Sequence, residues 1–264
     1  MGRKPNETRA CARHNGVWLI EKTRLKLITA ILISAAVTAC LGCKTAENKN
    51  LHGQPSKSFV ALFTDDGVPT GWLVRKWNDV KNPAAQGVVW KVEQGILRGS
   101  EPRGTWLVSE KAYGDFTLEF EWKLGERGNS GCGLRFPLAG DPAFDGLELQ
   151  MVDPRYYPSD MQVSAVELTG SLYKAVAPRA QVFKPVEWNK YQITCLGPKV
   201  TVLLNGEKIL DVNLDEQTNT VKRHDGSDAP PLKNRPCKGH IGFQELSRGA
   251  GHVEIRNARI KVLD

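Results

Sequence analysis

No segment after residue 43 repeats apolar side chains at helical spacing over the length of a helix. The chain beyond that point is therefore not read as a bundle or as alternating strands and helices. Cysteine is scarce there. Cys132, Cys195 and Cys237 are widely separated, and none belongs to the Cys-x-x-Cys pair of a metal-binding motif. Three thiols cannot all pair internally, and Cys132 and Cys195 sit in apolar runs, where a thiol packs as a small hydrophobe. Buried thiols are expected rather than a disulfide. No apolar run reaches the ~20 residues of a membrane-spanning helix. A basic face is missing too. Of the formal net charge of +7, residues 1–43 supply +5 through seven Lys/Arg and two Asp/Glu, leaving +2 for the remainder. That excludes a nucleic-acid footprint in the folded part.

What is present, 41% hydrophobic and 25% charged residues in 264, supports one large packed domain or two small ones. Ahead of it, Lys22, Arg24 and Lys26 precede a mainly apolar stretch from Leu27 to Ala39, the length of a signal-peptide core. Val37-Thr38-Ala39-Cys40 then resembles a bacterial lipoprotein box, with Cys40 as the lipidated residue and Cys43 as the alternative. Residues 1–43 read as a signal or lipoprotein leader and 44–57, polar with Gly and Pro, as a flexible linker. The domain occupies 58–264. A lipid anchor implies a membrane-tethered protein of the bacterial cell envelope, periplasmic or on the outer surface; a plain cleaved signal implies a secreted one.

From Ser58 the chain breaks into about a dozen short β-prone runs separated by turn residues. They include Phe59–Phe63, Phe116–Leu124, Leu147–Val152, Leu172–Val176 and Val200–Leu204, the last closing on an Asn205-Gly206 hairpin turn. So many short strands predict an all-β sandwich or barrel. Residues 213–239 break the rhythm as a long polar loop with Asp-Gly and Pro-Pro. Its Lys222-Arg223-His224 run reads as a solvated patch, or as a rim folded over the sheet.

The organising stretch is 128–153, GNSGCGLRFPLAGDPAFDGLELQMVD. In Leu147–Val152, Leu147, Leu149 and Met151 share one face while Glu148 and Gln150 share the other. Arg135 holds the matching place between Leu134 and Phe136 on the preceding run. A carboxylate, an amide and a guanidinium on one face of neighbouring strands suit a polyhydroxylated ligand. A plain solvated sheet face has the same pattern.

Phrases spread over the domain carry a resemblance. They include Phe59-Val-Ala-Leu-Phe63, Gly71-Trp72, Tyr113-Gly-Asp-Phe116, Glu121-Trp122, Gly128-Asn-Ser-Gly131, Glu148-Leu-Gln-Met-Val-Asp153, Thr169-Gly170…Tyr173, Glu187-Trp-Asn189, Leu204-Asn-Gly206, Gly239-His-Ile-Gly-Phe-Gln244 and Ile255-Arg-Asn257. In this order, from about Ser58 to the C-terminus, they resemble the 3-keto-disaccharide hydrolase family, long known as domain of unknown function 1080. The resemblance implies a concanavalin-like jelly-roll β-sandwich of two antiparallel sheets, and cleavage of glycosides already oxidised to the ketone at C3. One departure stands out: relatives commonly follow the glutamine with an Asp/His-Gly turn, whereas Gln244 here leads into Glu245-Leu-Ser-Arg-Gly249.

Such chemistry needs a base near C2 and a donor or cation at the ketone oxygen. Glu148 is the expected base, Arg135 the oxyanion partner and Asp153 a further catalytic candidate if a bulge or the strand end redirects it. Gln150, Glu121, Asn129, Tyr173 and Gln244 are the expected substrate-binding residues. A retaining glucanase would carry Glu-x-Asp-x-x-Glu with its outer carboxylates about 5–5.5 Å apart; the text Glu148-x-Gln150-x-x-Asp153 lacks the middle acid. No cofactor is implied, although carboxylates such as Glu121 and Glu148 would suit Ca²⁺ or another divalent cation. His52, His224, His240 and His252 stand singly and read as structural or exposed. The rival reading is a non-catalytic carbohydrate-binding module at the cell surface.

Overall fold

The computed structural model describes residues 58–249 and 251–263. The leader, the linker and both lipidation candidates, Cys40 and Cys43, lie outside the described residues. In chain order the strands are β1 (Val60–Ala61), β2 (Trp72–Lys76), β3 (Asp79–Pro83), β4 (Lys91–Glu93), β5 (Ile96–Arg98), β6 (Thr105–Tyr113), β7 (Phe116–Leu124) and β8 (Asn129–Phe136). After a short α-helix, α1 (Pro142–Asp145), come β9 (Leu147–Val152), β10 (Asn189–Leu196), β11 (Lys199–Leu204), β12 (Glu207–Asn213), β13 (Val221–Lys222), β14 (Asp228–Ala229), β15 (Gly239–Glu245) and β16 (Val253–Val262).

Two antiparallel sheets account for nearly all of these. One runs β12-β11-β10-β7-β16-β5-β4 with β1 beside β16, and the other β3-β2-β6-β15-β8-β9. They close face to face as a β-sandwich. On β7 the alternation of the sequence becomes burial: Phe116, Leu118, Phe120, Trp122 and Leu124 are all at most 1% exposed. Each such side chain contributes roughly 1.5–3 kcal/mol on burial. From the other sheet Leu107, Cys132, Leu149 and Phe243 meet this face, Phe120 lying edge-on to Phe243 with ring centroids 5.1 Å apart. Tyr191 on β10 is fully buried, and its hydroxyl finds a partner by donating across the sandwich to the Gln150 carbonyl at 3.0 Å. Cys132 and Cys195 are free buried thiols, as expected. Cys237 departs from that expectation and is disulfide-bonded.

β7 and β9 fall on the bounds read from the sequence. The edge strand β3 and its neighbour β2 are missed by the alternation rule, because WLVRK and DVKNP do not alternate and β3 ends on proline. The expected strand at Leu172–Val176 is instead an irregular segment touching β9 through one isolated bridge, Leu149 to Leu172. Its backbone still bonds β9, Tyr173 N–H donating to Glu148 O at 2.9 Å and Gln150 N–H to Ser171 O at 3.0 Å. The long polar loop folds into the β13–β14 hairpin. Arg223 clamps it to α1 through a two-point ion pair with Asp145, at 2.6 and 3.1 Å.

Candidate active site

The outer face of the β6-β15-β8-β9 sheet is roofed rather than open. α1, the 154–176 segment and the β13–β14 hairpin rise around it and enclose a cavity of about 440 Å³, inside the usual range for small-molecule sites of roughly 300–1,000 Å³. The period of two in β9 puts Glu148 and Gln150 on its floor, joined by Asn129 from β8 and Gln244 from β15. Tyr173 completes the set of expected residues that the structure brings together here.

Glu148 reaches into this space because β8 carries a glycine beside it. A Cβ on Gly131 would stand 2.0 Å from Glu148 Oε1, so any side chain there would displace the carboxylate. Glu148 is 3% exposed, and among the described residues no hydrogen bond ties down either of its oxygens. Burial, and secondarily the charge of Asp141, push its pKa well above the ordinary carboxylate range. Asp141 is the N-cap of α1, accepting from Ala143 N–H at 3.0 Å. Its own pKa is raised to about 6, chiefly by burial.

Phenols and an imidazole line the walls. Burial, and next the charge of Glu148, raise the Tyr173 pKa, so this phenol keeps its proton and stays a donor. Its backbone bond to Glu148 O holds it at the carboxylate's own position on the strand. His224 projects from the β13–β14 hairpin into an aromatic box. Its ring lies 5.2 Å from Phe144, 5.9 Å from Trp77 and 6.0 Å from Tyr173. Burial, then the charge of Lys174, lower its pKa, which favours the neutral imidazole. The rim reading of residues 222–224 therefore describes their place, and His224 is a cavity residue rather than an incidental one.

Farther along the floor, Tyr156 receives a 3.0 Å hydrogen bond on its hydroxyl from Arg103 Nη2, and the Arg248 guanidinium carbon lies 4.4 Å from its ring centroid. Burial works to raise this phenol's pKa. Hydrogen bonds from Asn129 and Arg103 and the charges of Arg103 and Arg248 outweigh it, and the pKa is lowered.

Three expected site residues lie elsewhere. Arg135 does not reach the cavity. Its backbone is left-handed, with φ 53°, which breaks the alternation of β8 and turns the side chain to the end of the sandwich. There, fully buried, it donates to Gly114 O at 2.8 Å and Gly197 O at 2.6 Å and pairs with Asp115 at 2.9 Å. Asp153 follows the end of β9, five residues from Glu148. Its carboxylate caps the next turn and pairs with Arg155 at 2.5 Å. Glu121 belongs to the opposite sheet, where its carboxylate accepts from Arg256 at 2.7 Å and Asn257 at 3.2 Å. Arg103, Asp141, Tyr156 and His224 are the cavity residues that the strand pattern did not single out. All four come from connections, which have no periodicity to read. Among the described residues no group of three or more His, Cys, Asp or Glu is placed to hold a metal ion.

Comparison with known proteins agrees with this architecture. Residues 58–261 match the model of the 3-keto-alpha-glucoside-1,2-lyase-like domain. A 3-keto-disaccharide hydrolase of Bacteroides thetaiotaomicron is 28% identical over 262 residues, covering 87% of each chain. Two solved structures from Parabacteroides distasonis, each provisionally named a glycosyl hydrolase, have the same fold. One has a TM-score of 0.60 at 26% identity, covering 78% of this chain and 94% of that one. The other has a TM-score of 0.61 at 24% identity, covering 78% of this chain and 100% of that one.

Proposed function

The chain belongs to the family of the 3-keto-alpha-glucoside-1,2-lyase-like domain, and from that premise we propose an enzyme that cleaves the glycosidic bond of 3-keto-disaccharides and related 3-keto-glycosides. The sandwich is then a concanavalin-like jelly roll whose roofed sheet face holds the sugar. Glu148 carries the reading. A carboxylate that is buried, raised in pKa and without a hydrogen-bond partner among the described residues is poised to take a proton.

A ketone at C3 acidifies the C2 hydrogen. Glu148 removes that proton, and the C–H electron pair becomes the C2–C3 double bond of an enolate with its charge on the C3 oxygen. The protonated Tyr173 phenol, with the neutral His224 beside it, supplies donors where that charge develops. The enolate returns its electrons to form C1=C2, and the C1–O bond breaks with its pair on the departing oxygen, which takes up a proton. Water then adds its oxygen to C1 and a proton to C2. The sum is hydrolysis, giving a 3-keto sugar and a free alcohol. Gln150, Asn129 and Gln244 hold hydroxyls. Donors from Tyr173 and His224 take the role that the sequence reading had given to Arg135.

The test is incubation of the purified protein with a 3-keto-disaccharide in D2O. Released monosaccharide and deuterium at C2 of the product are expected, with no cleavage of the unoxidised disaccharide. Glu148→Gln should lower kcat/KM by about 10²–10⁴-fold. Equal turnover by that variant, or equal cleavage of the unoxidised sugar, removes the assignment. For residues 1–57 the proposal is a lipoprotein leader anchored at Cys40, or at Cys43, with a tether to a domain in the bacterial envelope. A lipid mass on the mature N-terminal cysteine tests it.

A further inference from the structure

The two ends of the cavity differ in charge. Glu148 pairs across the strands with Gly133, and Asn129, beside Tyr156, lies opposite Val152. Those positions are four residues apart on β8, about 13 Å at ~3.3 Å per residue. The Glu148 end adds Asp141. At the other end Arg103 and Arg248 converge on a single phenol. Among the described residues neither guanidinium is in a salt bridge, although Arg155 and Arg223, which also border the site, are each paired with a carboxylate.

We propose that Arg103 and Arg248 form an anion subsite at the Tyr156 end of the cavity, which receives a carboxylate carried by the leaving group of the substrate. This rests on the function proposed above, and places the keto sugar at Glu148 with its C1 substituent extending toward Tyr156. Two like charges drawn onto one ring repel each other, and an anion between them relieves the repulsion. A planar carboxylate matches the paired N–H donors of a guanidinium.

Backbone hydrogen bonds fix the chain around both arginines. Beside Arg103, Gly104 N–H donates to Glu245 O at 2.8 Å and Gly104 O accepts from Trp77 N–H at 3.1 Å. Arg248 N–H donates to Arg127 O at 3.2 Å, and Leu246 N–H to Asn129 O at 2.9 Å. The buried Glu245 carboxylate folds this turn by accepting from Ser247 N–H at 2.7 Å and Val253 N–H at 3.0 Å.

Two 3-keto-glucosides test the subsite, one with a 4-carboxybenzyl and one with a 4-carbamoylbenzyl leaving group, which match in shape and differ in charge. The carboxylate should be favoured about tenfold in kcat/KM at low ionic strength, through KM, and the preference should shrink in 0.5 M salt. Arg248→Gln should bring the two substrates level by raising KM for the carboxylate. Equal rates on both substrates in the parent, or a preference that survives in Arg248→Gln, overturn the subsite while leaving the function intact. If neither substrate is cleaved, the function fails first. Ligand-observed NMR with 4-(hydroxymethyl)benzoate against its amide then decides the subsite: tighter binding of the benzoate, lost in Arg248→Gln, supports it, and equal binding sinks it.

Discussion

Glu148 and Asp141 form the electrostatic core of the site: burial and then the charge of Asp141 make Glu148 harder to ionise, and burial and then the charge of Asp145 do the same to Asp141. As a base Glu148 acts in its charged form, so kcat/KM should rise with pH along a limb lying above the ordinary carboxylate range. Asp141→Asn removes the neighbouring charge and should move that limb to lower pH, which a pH–rate profile reads directly. The same substitution has a stability consequence of defined sign. The folded-state pKa of Asp141, about 6 against a reference of 3.8, means that the fold favours the neutral acid. The stability from Asp141 is complete below pH 3.8 and is lost as pH rises through about 6. Asparagine caps a helix as well as aspartate does and does not ionise. Asp141→Asn should therefore be more stable than the parent by about 3 kcal/mol at pH 8 and equal to it at pH 3, measured by urea unfolding. Gly131 sets the other constraint on Glu148. Gly131→Ala meets Oε1, Cδ and Cγ of Glu148 and displaces that side chain, so the expected outcome is a folded protein with kcat/KM down about 10²-fold. Retained activity would mean that the carboxylate has no fixed role.

At the scale of the strand, β9 follows the period of two throughout, and its side-chain directions were legible in the sequence for that reason. β8 follows the same period only as far as Leu134. The left-handed residue at Arg135 has no signature in a run such as GLRF, since nothing there favours φ > 0 as glycine or asparagine would. A guanidinium that looked like part of the polar face became a bracket joining the β6–β7 and β10–β11 turns. Arg135→Met should accordingly lose about 3 kcal/mol in urea unfolding, because two carbonyls and Asp115 lose a fully buried donor. The folded fraction should keep kcat/KM within about twofold. A variant as stable as the parent but inactive would return Arg135 to the chemistry. What could not be read beforehand came from the connections. The positions of Arg103, Asp141, Tyr156 and His224 depend on how loops pack over a finished sheet, and loop residues have no repeat that reveals the direction of a side chain.

For the molecule as a whole, the sandwich has two outer faces built from similar residue types and used differently. On the sheet containing β7 and β16, Glu119 accepts from Arg259 at 2.6 Å and Glu121 from Arg256 at 2.7 Å, while the Arg256 guanidinium carbon lies 4.0 Å from the Trp188 ring centroid. Every acid named there has a cationic partner, and the ring face that a sugar would stack on is covered. On the opposite sheet Glu148 has no cationic partner among the described residues, and connections close over it. Pairing, rather than the presence of carboxylates on a strand, separates the scaffold from the candidate site. It also accounts for the misplacement of Glu121, whose strand alternates as regularly as β9 and whose partner sits more than 130 residues away in the chain. Glu121→Gln breaks a partly exposed ion pair worth about 0–1 kcal/mol. Its kcat/KM on a 3-keto-disaccharide should stay within twofold of the parent, while Glu148→Gln falls by orders of magnitude. Comparable losses from the two substitutions would show that catalysis is not confined to one face of the sandwich.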